Sequence, residues 1–175
     1  TSLGAQELQG LLVEDVEGAL WTTAMLEAGR LTAPPVCTRI VVAVDPPVTG
    51  TKGSDACGIV VVGAFTEGPP QSWRAVVLED ASVTGASPDQ WARAAVAAME
   101  RHGADRLVVE VNQGGDMVES LIRAEARGRS IPVRKVTATR AKHVRAEPVA
   151  ALYEQGKVRH TQEFVALEDQ MCAFT

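Results

Sequence analysis

Arg39-Ile-Val-Val-Ala-Val-Asp45 and Cys57-Gly-Ile-Val-Val-Val-Gly-Ala-Phe65 decide how this chain folds. Both are nearly unbroken runs of β-branched and small apolar residues, the pattern of strands buried on both faces. Pro46-Pro47 stops the first, and a turn-rich connection ending in Gly53-Ser54-Asp55 leads into the second. A third run, Trp73 to Glu79 (WRAVVLE), follows a break at Pro69-Pro70. Three strands joined by short loops predict an antiparallel meander.

Downstream the period changes. Ser87-Pro88 supplies an N-cap and a first-turn proline for an alanine-rich helix reaching about Met99, and Gly103 ends it. Arg106 to Val111 (RLVVEV) predicts a fourth strand, Gln113 to Ala126 a helix and Ile131 to Val136 a fifth strand. A helix interrupted by Pro148 runs from Arg140 to Glu154, and Glu163 to Phe174 predicts another. The order β-β-β-α-β-α-β-α describes an α/β fold with a mixed five-stranded sheet, an antiparallel meander followed by parallel crossovers, flanked by helices. Upstream, Leu8, Leu11, Leu12, Val16, Leu20 and Met25 recur at helical spacing over residues 1 to 31, before Pro34-Pro35 breaks the pattern. That segment reads as a helical arm or connector with a linker. Trp73 and Trp91 are expected in the core.

At 175 residues, with 46% hydrophobic and 22% charged side chains, the chain has material for one packed domain and is not of disordered composition. No apolar run approaches the roughly 20 residues of a spanning helix, and the first ten residues lack a signal-peptide pattern. A membrane or secreted protein is not expected. Three cysteines and three histidines, all scattered, fit neither a zinc spacing nor a disulfide framework. Any metal would therefore be held by carboxylates.

Net charge is −5, yet Arg123 to Arg145 holds eight basic residues and one acid, Glu125. Such a stretch on an acidic body suits a polyanion-binding face, and Arg140, Lys142, His143 and Arg145 are its candidate phosphate contacts. An Arg-rich solvated surface is the plainer alternative.

Two acids stand out. Asp45 closes the first strand at the end where α/β sheets bind ligands. Glu110 sits among Val108, Val109 and Val111, where a charge needs a cation, a hydrogen-bond network or protonation. If the first and fourth strands are neighbours, the two carboxylates converge as a hard divalent cation requires. An arginine partner for Glu110 is the competing explanation. Asp55 is either a third ligand or a turn residue. Asn112-Gln113-Gly114-Gly115 would let backbone and a helix N-terminus approach a phosphate, or serve only as a hinge.

The element order, with an Asp ending the first strand and an acid in the fourth, resembles the ribonuclease H-like fold. Within that fold, IVVAVDPPVTGTKGSDACGIVVVG, WARAAVAAMERHGADRLVVEVNQGGDMV, RAEPVAALYEQGKVRH and ALEDQMCAFT resemble the C-terminal nuclease domain of the large terminase subunit of tailed phages and gene transfer agents. The likeness runs from Arg39 to Thr175, implying a lead-in and linker over 1–37 and a nuclease domain over 38–175. It implies a DNA endonuclease using two Mg²⁺ or Mn²⁺ ions, with Asp45 bridging them and Glu110 holding one. Asp55 falls where some relatives carry an additional acid. The family's third catalytic aspartate lies in a helix beyond EDQMCAF, so the chain is expected to be a fragment; Glu168 and Asp169 belong to the preceding segment. Implied partners are double-stranded DNA, the ATPase domain in cis, the portal and the small terminase subunit, in the cytoplasm of a bacterial host. The alternatives are a non-catalytic DNA or portal docking module, a junction resolvase, and a sugar-kinase-like phosphotransferase.

Overall fold

The computed structural model describes residues 16–33, 35–47, 56–111 and 115–175. Strands β1 (Arg39–Asp45), β2 (Ala56–Phe65) and β3 (Arg74–Asp80) form the expected antiparallel meander. β5 (Arg106–Glu110) runs parallel to β1, and β6 (Val133–Val136) runs parallel to β5. Two strands go beyond the five expected. Val158–His160 (β7) pairs in parallel with β3, giving the order β6-β5-β1-β2-β3-β7, and the two-residue β4 (Val83–Thr84) pairs with the start of β2. Both are too short to leave a periodic signal.

β1 is not buried on both faces. Val42 and Val44 of β1 are buried while Ala43 between them and Asp45 after them are exposed, and in β5 the buried Leu107 and Val109 alternate with the partly buried Val108 and Glu110. In β1, β2 and β5 burial falls on the face where helices α2 (Pro88–Arg101) and α3 (Gly115–Ala126) lie, whereas the consecutive Val76 and Val77 of β3 are both buried. The β-branched content of β1 reflects strand preference as well as burial.

Helix α2 begins where the sequence dictates. Ser87 Oγ accepts from Gln90 N–H, the Gln90 side chain accepts from Ser87 N–H at 2.8 Å, and Pro88 occupies the first turn. Its Ala92, Ala95 and Ala98 are fully buried, so the helix approaches the sheet closely around Trp91 and Met99. Gly103, at φ +55°, turns the chain back toward β5. Ile59, Leu107 and Ile122 are fully buried at the centre; truncating one to Ala costs about 3 kcal/mol by the usual cavity relation.

A second, smaller core forms elsewhere. α1 (Thr23–Ala28), α4 (Lys142–Glu154) and α5 (Val165–Cys172) gather Trp21, Leu26, Ala146, Ala150, Tyr153, Met171 and Phe174. Residues 1–15 of the helical lead-in lie outside the described residues; its described part holds the six residues of α1, capped by Thr22, which pack onto α4 and α5. Helix α4 continues through Pro148. Trp91 is buried as expected, but Trp73 lies just outside β3 and is 43% exposed, its indole N–H donating to the Gly68 carbonyl. No described helix is long and apolar enough to cross a membrane.

Candidate metal and phosphate site

β1 ends at Asp45 because Pro46 offers no N–H to continue the ladder. The last β1–β5 pair is Val44 with Val109, so Asp45 and Glu110 are the next residues on adjacent parallel strands, whose backbones lie about 4.8 Å apart. Alternation sends both side chains to the face opposite Val44 and Val109, away from the main core. Gly58 pairs with Asp45 from β2 and puts no side chain beside it. Asp45 is 57% exposed at its side chain and Glu110 18%, so one carboxylate is open and the other half-enclosed.

The first turn of α4 faces this pair. Arg145 Nη1 donates to Glu110 Oε2 at 2.8 Å and Nη2 to Oε1 at 3.4 Å, while Nε donates to the Arg140 carbonyl at 3.1 Å. Lys142 Nζ stands 4.0 Å from Asp45 Oδ2. Two carboxylates and two cations therefore share one corner of the sheet. His143 turns elsewhere, pairing with Glu147 at 3.3 Å and stacking on Phe174. Arg140 is exposed, and its guanidinium has no ion pair among the described residues.

Glu110 thus has the arginine partner that was its competing explanation, and that partner belongs to the basic stretch. The sequence carried a signal for this: Lys142 and Arg145, three apart on a helix, share a face. Asp55 and residues 112–114 lie outside the described residues. Among the described residues no three metal-type side chains cluster. Behind the site, burial pushes the Cys57 thiol up to about 12, helped by the Asp45 charge.

Sequence reasoning missed a buried polar cluster joining the lead-in to the domain. His160 is 1% exposed; its Nδ1 lies 2.7 Å from Glu168 Oε1 and its Nε2 2.9 Å from the Tyr153 hydroxyl. A carboxylate only accepts, so Nδ1 carries the proton and, in the neutral ring, Nε2 accepts from Tyr153. Arg30 donates to both Glu168 oxygens at 2.9 Å, and Phe164 N–H adds a bond at 3.1 Å. Burial raises the Glu168 carboxyl, but the bonds from His160, Arg30 and Phe164 more than offset it and hold the group at about 2. Burial, with the Glu168 charge, also raises the Tyr153 hydroxyl. Only the assembled fold brings these four side chains together.

A mixed sheet with neighbouring strand-end acids on its first and fifth strands defines a ribonuclease H-like domain. The family model described as the terminase RNaseH-like domain matches residues 42–175, and the chain belongs to that family. Solved structures of the nuclease domain of the large terminase subunit gp2 of bacterial virus Sf6 are similar in fold. A variant with calcium aligns at 15% identity and a TM-score of 0.58, covering 89% of this chain and 78% of that one. A variant with manganese and β-thujaplicinol aligns at 15% identity and a TM-score of 0.56, over the same shares. Another structure of that domain aligns at 19% identity and a TM-score of 0.48, covering 77% of this chain, which spans 54% of that one. No curated protein matches the chain.

Proposed function

We propose that this chain is the metal-dependent endonuclease domain of a large terminase subunit, cutting concatemeric double-stranded DNA during viral genome packaging. The observation that carries the reading is the placement of Asp45 and Glu110 side by side at the ends of β1 and β5, facing Lys142 and Arg145 at the start of α4. Their donor chemistry fits Mg²⁺ or Mn²⁺, since carboxylate oxygens are the hard ligands these ions take. The Sf6 relative's manganese and calcium support a divalent ion here, and family membership supports DNA as substrate.

In this reading Asp45 and Glu110 hold the catalytic ions, two as in related two-metal hydrolases, with Asp55 as a further ligand. Bound there, the metal supplies Lewis-acid activation of water and stabilisation of the leaving 3′ oxygen. Arg140, Lys142 and Arg145 hold the duplex by its phosphates, which positions the strand without reading its sequence, while His143, paired with Glu147, is not part of that contact. The ATPase domain in cis, the portal and the small terminase subunit are the proposed partners, in the host cytoplasm.

The Glu110–Arg145 pair favours a second reading, a DNA or portal docking module whose acids are simply neutralised. Mn²⁺-dependent nicking of supercoiled plasmid, together with Mn²⁺ binding by calorimetry, separates the two. Asp45→Asn and Glu110→Gln are expected to lose both while the circular dichroism spectrum is unchanged. Wild-type levels of both in the two variants, or no Mn²⁺ binding by the parent chain, would sink the nuclease reading.

A further inference from the structure

We infer that Arg145 is an exchange residue: it holds the Glu110 carboxylate while no cation is bound, and yields it when its guanidinium moves onto a DNA phosphate. This inference rests on the nuclease reading and adds a coupling between metal and DNA that the reading does not require.

The geometry supplies the competition. Both Glu110 oxygens are engaged by Arg145, at 2.8 and 3.4 Å, so each gives one of its two lone pairs to the guanidinium and fewer remain for a divalent ion. Lys142 sits at the edge of ion-pair distance from Asp45. Two carboxylates and two cations sum to zero, so a divalent ion arriving at the intact cluster meets no net attraction. With the cations withdrawn, the same two acids carry −2 and match the ion's charge. Binding of metal and retention of Arg145 on Glu110 therefore oppose each other.

The geometry also supplies the alternative partner. A guanidinium has five N–H donors, and Arg145 spends three, on Glu110 and on the Arg140 carbonyl. Its side chain is 34% exposed, so the remaining donors reach solvent, where a phosphate offers the same bidentate geometry as a carboxylate. Because the Nε bond to Arg140 does not involve Glu110, it can hold the base of the guanidinium as the partner changes. A phosphate that draws Arg145 away frees Glu110 for the cation, and by linkage the cation favours the phosphate-bound arginine.

The test measures Mn²⁺ affinity of the 175-residue chain by electron paramagnetic resonance of the free ion, alone and with a phosphorothioate duplex that resists cleavage. Wild type is expected to bind Mn²⁺ about fivefold or more tightly with duplex than without, the lower range of coupling between linked sites. Arg145→Gln is expected to bind Mn²⁺ more tightly than wild type without DNA, and to gain little from the duplex. Arg145→Lys is expected to fall between them. Mn²⁺ affinity unchanged or weakened in Arg145→Gln, or no effect of duplex on wild type, would overturn the exchange. Glu110→Gln identifies a failure of the underlying reading: if wild type binds no Mn²⁺, or Glu110→Gln binds it equally well, the metal site itself is wrong.

Discussion

Arg30 and Glu168, 138 positions apart, meet through two parallel bonds of 2.9 Å each, and so tie the segment before the sheet to the last helix. Three further donors and acceptors complete the cluster. His160 Nδ1 and Phe164 N–H both donate to Glu168, and Tyr153 closes the far side of the imidazole. Charges this enclosed are tolerated only when their partners are in place, so removing one leaves the others costly.

Acid should therefore loosen the junction. Glu168 titrates at about 2 in the fold against a reference of 4.5, so the unfolded chain binds the proton more tightly. The stabilisation is fully present above pH 4.5 and is lost as pH falls from there toward 2. Allowing for solvent screening, we expect Glu168→Gln to cost about 2 kcal/mol at pH 7. The gap between variant and parent should narrow at pH 3. Urea unfolding at the two pH values checks this, and a gap independent of pH would refute it.

Leu26 is 2% exposed in the small core shared by α1, α4 and α5. Its truncation to Ala should cost about 2–4 kcal/mol locally. Because α1 and the main core bury separate sets of residues, the loss should appear first in α4, which carries Lys142 and Arg145. Hydrogen exchange is expected to quicken in α4 amides while those of β1, β2 and β5 keep their protection. Uniform loss across both cores would show instead that they unfold as one.

Cys57 and Cys37 should differ sharply in reactivity. Cys57 is 1% exposed, with its thiol pushed up to about 12 by burial and by the nearby Asp45 charge. At pH 8 roughly one part in ten thousand is thiolate, and that fraction is shielded. Burial raises the Cys37 thiol as well, but it is only partly enclosed. A disulfide exchange reagent is expected to label Cys37 in the native protein and Cys57 only on unfolding, as peptide mass mapping would show. Rapid native labelling of Cys57 would mean that the sheet opens there.

Much of this architecture could be read in the residues, and the failures have physical causes. The β-branched runs at 39–45 and 57–65 marked the central strands, and Asp45 before two prolines marked a strand end. They did not reveal that Ala43 and Asp45 face a thinly covered side, because strand preference and burial select the same side chains. β7 escaped because three residues, Val158-Arg159-His160, show no period, and it exists by pairing with β3. Of the lead-in, the described part holds the six-residue helix behind the Thr22 cap, and Leu8, Leu11 and Leu12 lie outside the described residues. Glu110 was legible as a residue needing a partner, but choosing between a cation and Arg145 required knowing where α4 crosses the sheet.

Arg140 offers the cleanest test of the phosphate contacts, since its guanidinium is exposed and, among the described residues, free of the acids that engage Lys142 and Arg145. A side chain that neutralises one phosphate releases its counterion, and the logarithm of affinity then falls with the logarithm of salt by about 0.9 per contact. Arg140→Ala should weaken duplex binding at low salt and flatten that dependence by about one contact. It should do so equally for unrelated sequences, because a phosphate contact carries no base information. Fluorescence anisotropy between 50 and 200 mM salt, with two unrelated duplexes, measures both quantities. A change confined to one sequence would make Arg140 a base-reading residue, and an unchanged slope would remove it from the interface.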